Sequence, residues 1–438
     1  MHIPEKAIDF KKIWFEENEA IGRALSNPAV MEYVAACNIN YISWDELKYK
    51  KFPFELKPEV LWAIIKFTRK QKFQKFEFGD WKFEYLMLDK FQRQLHRLDK
   101  EASGGLELQS SAKPEKEYII SSLMEEAIAS SQLEGAVTTR KIAKEMLRKN
   151  QKPKTNSEKM ILNGYKTIQK ILELKSSPLT VQTLLEIHKQ MTEDTLEDKN
   201  FEGAFRNNNE VVVGDPIDAS KVYYQPTIDY SKIPQTMQKL CDFANSNDKE
   251  FIHPIIKAII LHFLIGYIHP FEDGNGRTAR SIFYWHCLSK KYSLFEFMAI
   301  SKSILQNKTQ YGQAYLNTEK DENDLTYFIK YNLDMIENAL DKMEEYITRK
   351  QKEQAESLHL LTSIKNINAR QAEILKQFYK QPEKQFEVKE IKATYGIAYD
   401  TARTDLQHLT AIGRVSQIKV QKKYLYQLNK NAKNQTNA

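Results

Sequence analysis

The run 255–268, opened by His253-Pro254 and cut off by His269-Pro270, limits the folds open to this chain more than any other stretch. Nearly every position is apolar, interrupted only by Lys257 and His262, so the run has no polar face to offer water and reads as a helix buried on all sides. The rest of the chain has to wrap around it. It carries a lysine and is too short to cross a bilayer. Pro270 ends it, Gly274 and Gly276 permit a tight turn, and a second helix starts near Arg277 and runs to about 290.

Composition allows this reading. Of 438 residues, 42% are hydrophobic and 28% charged, ordinary for a globular protein of two or three domains. Cys37, Cys241 and Cys287 are odd in number, far apart and without metal-ligand spacing, which argues against a disulfide framework or a zinc site and for a reducing compartment. The first residues, Met1-His2-Ile3-Pro4-Glu5-Lys6, lack a basic stretch followed by an apolar one, so the expectation is a cytoplasmic protein with no membrane role. Charge is uneven. Residues 365–438 hold fourteen Lys and Arg against six Asp and Glu, a net of +8 that exceeds the +7 of the whole chain and leaves residues 1–364 close to neutral.

The expected architecture is mainly α. Helical periodicity at 58–70 and 83–100 makes the first unit, 1–112, a helical extension, closed by turn residues at 102–105 and a linker at 110–114. A helix from 118 to about 131 buries Leu123, Ala127 and Ile128 and ends near Gly135. Glu134 then stands at the end of a helix, where the dipole disfavours a carboxylate by about 0.3–1 kcal/mol, so a cationic partner is expected elsewhere. Helices follow at 157–174, 180–195 and 233–245. Between them, Val211-Val212-Val213 and Val222-Tyr223-Tyr224 flank Gly214-Asp215-Pro216 and read as a β-hairpin, either a surface decoration or a flap that takes an extended peptide along its edge.

The turn after the buried helix holds the chemistry. The backbone amides of Gly274, Asn275 and Gly276 fall at a helix N-terminus, which attracts phosphate oxygens. Arg277 and Arg280, three apart, are expected on one helix face, forked onto phosphates. Asp273 suits a hard divalent cation such as Mg2+ beside those phosphates, and His269 suits proton removal from an attacking hydroxyl. Together these point to phosphoryl or nucleotidyl transfer. A Walker-type phosphate loop and an HExxH zinc motif are both absent from the sequence.

His269-Pro270-Phe271-Glu272-Asp273-Gly274-Asn275-Gly276-Arg277-Thr278-Ala279-Arg280 resembles the Fic family signature HPFx[DE]GNGRxxR at every specified position. Gly203-Ala204-Phe205-Arg206 and the following hairpin resemble that family's target-docking flap, and Ser130 to Gly135 resembles its inhibitory motif [ST]xxxE[GN]. The resemblance implies an all-helical Fic core with a β-hairpin flap over 113–350, including an inhibitory helix at 118–135. It implies transfer of AMP from ATP to a Ser, Thr or Tyr hydroxyl of a protein, with Mg2+. His269 is then the general base and Asp273 the metal ligand. Gly274, Asn275 and Gly276 form the anion hole, Arg277 and Arg280 grip the polyphosphate, and Phe271 anchors the loop. Glu134, with Ser130 and Gly135 in its motif, pairs with Arg280 and holds the enzyme inactive. Breaking a buried pair of that kind costs about 3–5 kcal/mol. Tyr311 and Tyr315 are candidates for stacking on adenine or for plain core packing. AMP removal, transfer of another nucleotidyl or phosphoryl group, and a nucleotide-sensing DNA-binding regulator remain as alternatives.

Residues 365–430 read as a separate winged helix: helices at 368–379, 388–395 and 398–412, then strands at 415–420 and 423–428. Arg403, Thr404 and His408 on its second, recognition-type helix, with Lys419, Lys422 and Lys423 in the wing, suit phosphates and base edges, whereas Asp400 and Asp405 oppose them. DNA and protein docking both stay open, as does a homodimer.

Overall fold

The computed structural model describes residues 2–101, 116–214, 218, 220–246, 251–364, 366–420 and 423–429. The turn expected at 102–105, the linker at 110–114, Asp215 and Pro216 of the hairpin loop and Lys422 lie outside the described residues. The chain divides into two compact units, Met1–Met343 and Glu344–Ala438.

The first unit opens with α1 (Phe10–Glu16), α2 (Asn18–Leu25), α3 (Pro28–Asn40), α4 (Trp44–Leu47) and α5 (Pro58–Lys70). α5 buries Leu61, Trp62, Ile64 and Ile65 among the others. An antiparallel hairpin, β1 (Gln74–Phe78) and β2 (Trp81–Tyr85), follows before α6 (Asp89–Lys100). Helix was expected from 83, but Trp81 to Tyr85 is strand. Aromatic side chains alternate along both strands, and Phe83 and Trp81 pack edge-on against Phe263 and Tyr267, so tertiary contacts override the helical reading.

Next come α7 (Lys116–Leu133), α8 (Arg140–Arg148), α9 (Asn156–Leu174) and α10 (Val181–Thr192). Two short strands, β3 (Val213–Gly214) and β4 (Val222–Tyr224), form the expected hairpin, although only Val213 of the three valines is in the ladder and the register shifts there. α11 (Ile233–Asn245), α12 (Pro254–Ile268), α13 (Asn275–Ser289), α14 (Ile300–Gln306) and α15 (Lys308–Lys320) complete the core, and α16 (Thr326–Ser363) crosses the division between the units in sequence.

α12 is the buried axis that its sequence demands, with every side chain from Ile255 to Phe263 buried. Its two polar interruptions are satisfied internally: Lys257 Nζ donates to the Ser246 carbonyl at 2.9 Å, and His262 Nε2 meets the Tyr311 hydroxyl at 2.8 Å. α13 packs against α12 along its length and is buried at every position from Arg277 to Leu288. Among the described residues no helix is long and apolar enough to cross a membrane.

In the second unit α17 (Ala369–Lys380), β5 (Phe386–Glu387), α18 (Val388–Tyr395), α19 (Tyr399–Ala411), β6 (Val415–Val420) and β7 (Lys423–Leu428) enclose a core of Leu375, Phe378, Leu406, Leu409 and Tyr426. The strands form an antiparallel sheet in the order β5-β7-β6, one strand more than the sequence suggested. Asp405 does not sit on an outer face as expected. It is buried and accepts from Gln371 Nε2 at 3.0 Å and from the Arg370 guanidinium. His408 is half-buried with its Nε2 on the carbonyl of the exposed Asn366, while Arg403 and Thr404 remain exposed.

Candidate active site

His269 closes α12 in the left-handed conformation (φ 50°, ψ 60°), a position that costs a non-glycine residue about 1–2 kcal/mol. The surroundings hold it there. Its N–H donates to the Ile265 carbonyl, and Arg206 Nε donates to the His269 carbonyl at 3.0 Å. On the ring, Nδ1 lies 3.0 Å from the Gly266 carbonyl. A carbonyl only accepts, so Nδ1 carries the proton and Nε2 is left as the basic nitrogen. Burial pushes the imidazole pKa down, against the Gly266 bond and the Glu134 charge, so the ring is neutral at neutral pH.

The turn that follows is closed by side chains. Asn275 Oδ1 accepts from the Phe271 N–H at 2.9 Å and Asn275 Nδ2 donates to the Phe271 carbonyl at 2.8 Å, so this amide braces the loop. Phe271 is fully buried, stacked on His188 at 3.7 Å and near Phe205, the anchoring expected of it. The Gly274 N–H is taken by Asp273 Oδ1 at 2.5 Å, so it is not free as expected. α13 begins at Asn275, and the amides of Asn275, Gly276 and Arg277 have no carbonyl one turn back to bond, as at any helix start.

Arg277 and Arg280, three positions apart on α13, are both buried, and each is held by its own carboxylate. Arg277, 1% exposed, donates to the Met191 carbonyl at 3.2 Å and to Asp273 Oδ2 at 3.2 Å. Arg280, 4% exposed, is held by α7: Nε donates to Ser130 Oγ, and Nη2 to the Ser130 carbonyl and to Glu134 Oε1, all at 2.9 Å. Burial would raise the Glu134 pKa, but Arg280 and then Arg277 outweigh it and hold the carboxyl below its ordinary range. The Glu134 side chain is 27% exposed, which puts the pair between the near-zero value of a surface ion pair and the about 3–5 kcal/mol of a buried one. A Cβ on Gly276 would lie 2.3 Å from Glu134 Oε1. The carboxylate therefore rests directly on the N-terminal turn where an anion would bind.

α7 is fastened from behind as well. Glu125 takes Arg140 and Lys144, the fully buried Glu126 accepts from Ser301 N at 2.8 Å and from its hydroxyl, and Ser122 Oγ donates to the Phe297 carbonyl at 2.6 Å. Lys308 Nζ donates to the Leu133 carbonyl at 2.7 Å, supplying the cation that the helix C-terminus favours. Gly135, at φ 94°, ends the helix as expected. Sequence reasoning missed this bracing; the paired acids at 125 and 126 on a helix with buried faces were the available signal.

Tyr311 and Tyr315 sit in an aromatic cluster with His262, Phe263 and Phe328. The Tyr311 hydroxyl bonds His262, and the Tyr315 ring fills the space beside Gly266, with both side chains half-buried. Across the site, the Tyr224 hydroxyl donates to the Tyr267 carbonyl at 2.5 Å and the two rings stack, pinning β4 to the end of α12. Val212 and Val222 are exposed; Val211, Val213, Tyr223 and Tyr224 are half-buried.

Among the described residues no cluster of three or more metal-ligating side chains occurs. Mg2+ does not require one: it takes one or two carboxylates with water and phosphate oxygens. Asp273, its side chain 59% exposed beside a helix N-terminus, fits that need.

Residues 178–287 match the model of the Fic/DOC family. Protein adenylyltransferase Fic of Nematostella vectensis is 30% identical over 115 residues, covering 26% of this chain and 24% of that protein. Its namesake in Drosophila willistoni is 26% identical over 164 residues, covering 37% of this chain and 29% of that protein. The match thus spans less than a third of these curated relatives. In fold, the chain is similar to a Fic family protein from Desulfovibrio desulfuricans G20 (TM-score 0.51, 15% identity, 77% of this chain and 94% of that one). It is also similar to Fic-1 (aa134 - 508) from C. elegans (TM-score 0.50, 16% identity, 73% of this chain and 85% of that one).

Proposed function

We propose, from the match of residues 178–287 to the Fic/DOC family and the geometry of the turn, that the chain transfers AMP from ATP to a hydroxyl side chain of a protein and is restrained by Glu134. The observation that carries this is the neutral His269, its free Nε2 beside an anion-binding helix N-terminus that a carboxylate covers. In the released enzyme His269 Nε2 accepts the proton of the attacking hydroxyl. The hydroxyl oxygen bonds to the α-phosphorus, the bond from that phosphorus to the bridging oxygen breaks, and pyrophosphate leaves. The amides of Asn275 and Gly276 and the guanidiniums of Arg277 and Arg280 orient the phosphates. Asp273 would hold Mg2+, which when bound offsets phosphate charge. While Glu134 occupies Arg280 and covers Gly276, the terminal phosphates have no seat. The hairpin β3–β4 presents the target chain.

The second unit we read as a winged helix. Burial of Asp405 leaves Arg403 and Thr404 exposed on α19 with Asp400, which supports docking of DNA more than the sequence did. Retention of a mixed duplex pool at low salt supports that, and no retention favours protein docking.

The central test compares the wild type with Glu134→Gly, using ATP labelled at the α- or the γ-phosphate, followed by mass spectrometry. Adenylyl transfer predicts α-label on protein, rising in Glu134→Gly. A γ-label or another added mass displaces it. Loss of label from a premodified protein by the wild type alone supports AMP removal, with Glu134 directing water.

A further inference from the structure

Two buried side chains outside the signature tie the flap to the catalytic turn. Arg206 is 3% exposed and distributes its donors over three segments. Its Nε bonds the His269 carbonyl, Nη1 the Asn208 carbonyl and Asn209 Oδ1, and Nη2 the Ile228 carbonyl at 2.9 Å, while its backbone N–H bonds the Pro270 carbonyl at 2.9 Å. Asn208 and Ile228 are the two roots of the flap, and Asn209 crosses between them to Asp229 at 2.8 Å and Tyr230 N at 2.9 Å. One guanidinium therefore joins both roots to the backbone of the base.

His188 joins the same lead-in segment to the other end of the turn. Fully buried on α10, it accepts the Gly203 N–H at Nδ1 (3.1 Å) and donates from Nε2 to the Asp273 carbonyl (2.9 Å). Both backbones approach so closely that a side chain is barred. A Cβ on Gly203 would lie 2.8 Å from Lys189 Cβ, and one on Gly274 would lie 2.9 Å from Thr192 Cγ2 and 3.2 Å from His188 Nε2.

We propose that Arg206 and His188 are positioning residues with separate tasks: Arg206 sets the flap against His269, and His188 sets the phosphate turn through Asp273. This rests on the adenylyltransferase reading of the site. A lysine at 206 keeps the charge but places one donor head where a fork reaches three segments. An asparagine at 188 retains an acceptor near the Nδ1 position and loses the distal donor. A glutamine supplies that distal donor.

The experiment uses the full chain carrying Glu134→Gly, with ATP as probe and self-labelling as readout. Arg206→Lys is expected to lower kcat at least about tenfold with KM for ATP within about twofold. His188→Asn is expected to raise KM for ATP at least about fivefold with kcat within about twofold, and His188→Gln to recover most of that rise. Parallel movement of kcat and KM in both variants, or no advantage of Gln over Asn, overturns the proposal. Amide hydrogen exchange of peptides spanning 204–214 and 222–230 tests the clasp without turnover. Faster exchange in Arg206→Lys alone supports it, and equal exchange in both variants overturns it. If the parent transfers no nucleotide the adenylyltransferase reading falls, and the exchange result still decides the clasp.

Discussion

Arg277 and Arg280 stand one turn apart on α13 and each meets a carboxylate, yet the two pairs are built differently. Arg277 takes Asp273 at 3.2 Å, four residues back in its own turn. Arg280 takes Glu134 at 2.9 Å, from a helix 146 residues away in sequence. Asp273 comes with the turn and keeps 59% of its side chain open, whereas Glu134 comes from another helix and lies over Gly276. A local pair shapes the site permanently. A long-range pair joins two separate elements, and in the proposed function that difference assigns catalysis to the turn and restraint to α7.

The most severe test of this comparison removes His269, the proposed base. His269→Ala in the Glu134→Gly background is expected to lower self-labelling by about 10²–10⁴, the range of general-base catalysis, with the melting temperature slightly lowered, because alanine is as strained as histidine at φ 50° and loses the ring's bond to the Gly266 carbonyl. Residual labelling near the parent rate would remove His269 from the mechanism.

Next in size is a contrast of sign. Glu134→Gly is expected to raise self-labelling about tenfold or more, consistent with a partly buried pair of roughly 1–3 kcal/mol, and Asp273→Ala to lower it by a similar factor. The two carboxylates are chemically alike and both bound to arginine. If both substitutions moved the rate in the same direction, the assignment of catalysis to the turn and restraint to α7 would be wrong.

A third prediction sharpens the comparison through pH. A neutral histidine lies beneath each arginine: burial, aided by Arg277, lowers the His188 pKa to about 4, and burial with Arg280 lowers that of His262 to about 3. Both would titrate at 6.5 in the unfolded chain, so the unfolded state takes up protons first as pH falls. Stability is therefore full above pH 6.5 and declines below it, by up to about 1.4 kcal/mol per pH unit for each histidine. His188 stops contributing to the decline near pH 4 and His262 near pH 3. Urea midpoints from pH 7 to 4 measure this, and His188→Gln should flatten the slope by about one proton. An unchanged slope would mean that His188 is already charged.

Much of the arrangement was legible in the sequence because it is local. The limits of α12, the turn and α13 follow from an apolar run, Pro270 and two glycines, and the family resemblance supplied Glu134 as the partner of Arg280. What escaped was decided by tertiary contact. The hairpin β1–β2 is held by Phe263 and Tyr267, although Gly79-Asp80 between two alternating aromatic runs was a turn signal. Asp405 read as a surface acid, because nothing local says that Arg370, 35 residues earlier, would cover it. Arg206 was marked only as part of Gly203-Ala204-Phe205-Arg206, which resembles the flap, and His188 not at all, since a side chain that bonds carbonyls of distant loops leaves no pattern in sequence.

The smallest expected effect isolates the contact between restraint and turn. In Gly276→Ala the added methyl would stand 2.3 Å from Glu134 Oε1 and 3.0 Å from its Cδ, closer than atoms can approach, so the partly exposed glutamate has to withdraw. The backbone at 276 is not among the positive-φ positions, so alanine fits the helix there and even favours it. The same methyl narrows the anion turn and weakens phosphate binding. The two consequences oppose each other, and self-labelling is expected to rise only about two- to fivefold over wild type, with a raised KM for ATP. In the Glu134→Gly background the first consequence has already been delivered, so Gly276→Ala should then lower the rate. That reversal, read from four labelling curves, separates the carboxylate's contact with Gly276 from its pairing with Arg280. A rise in both backgrounds would mean that the methyl acts through helix stability and not by expelling Glu134.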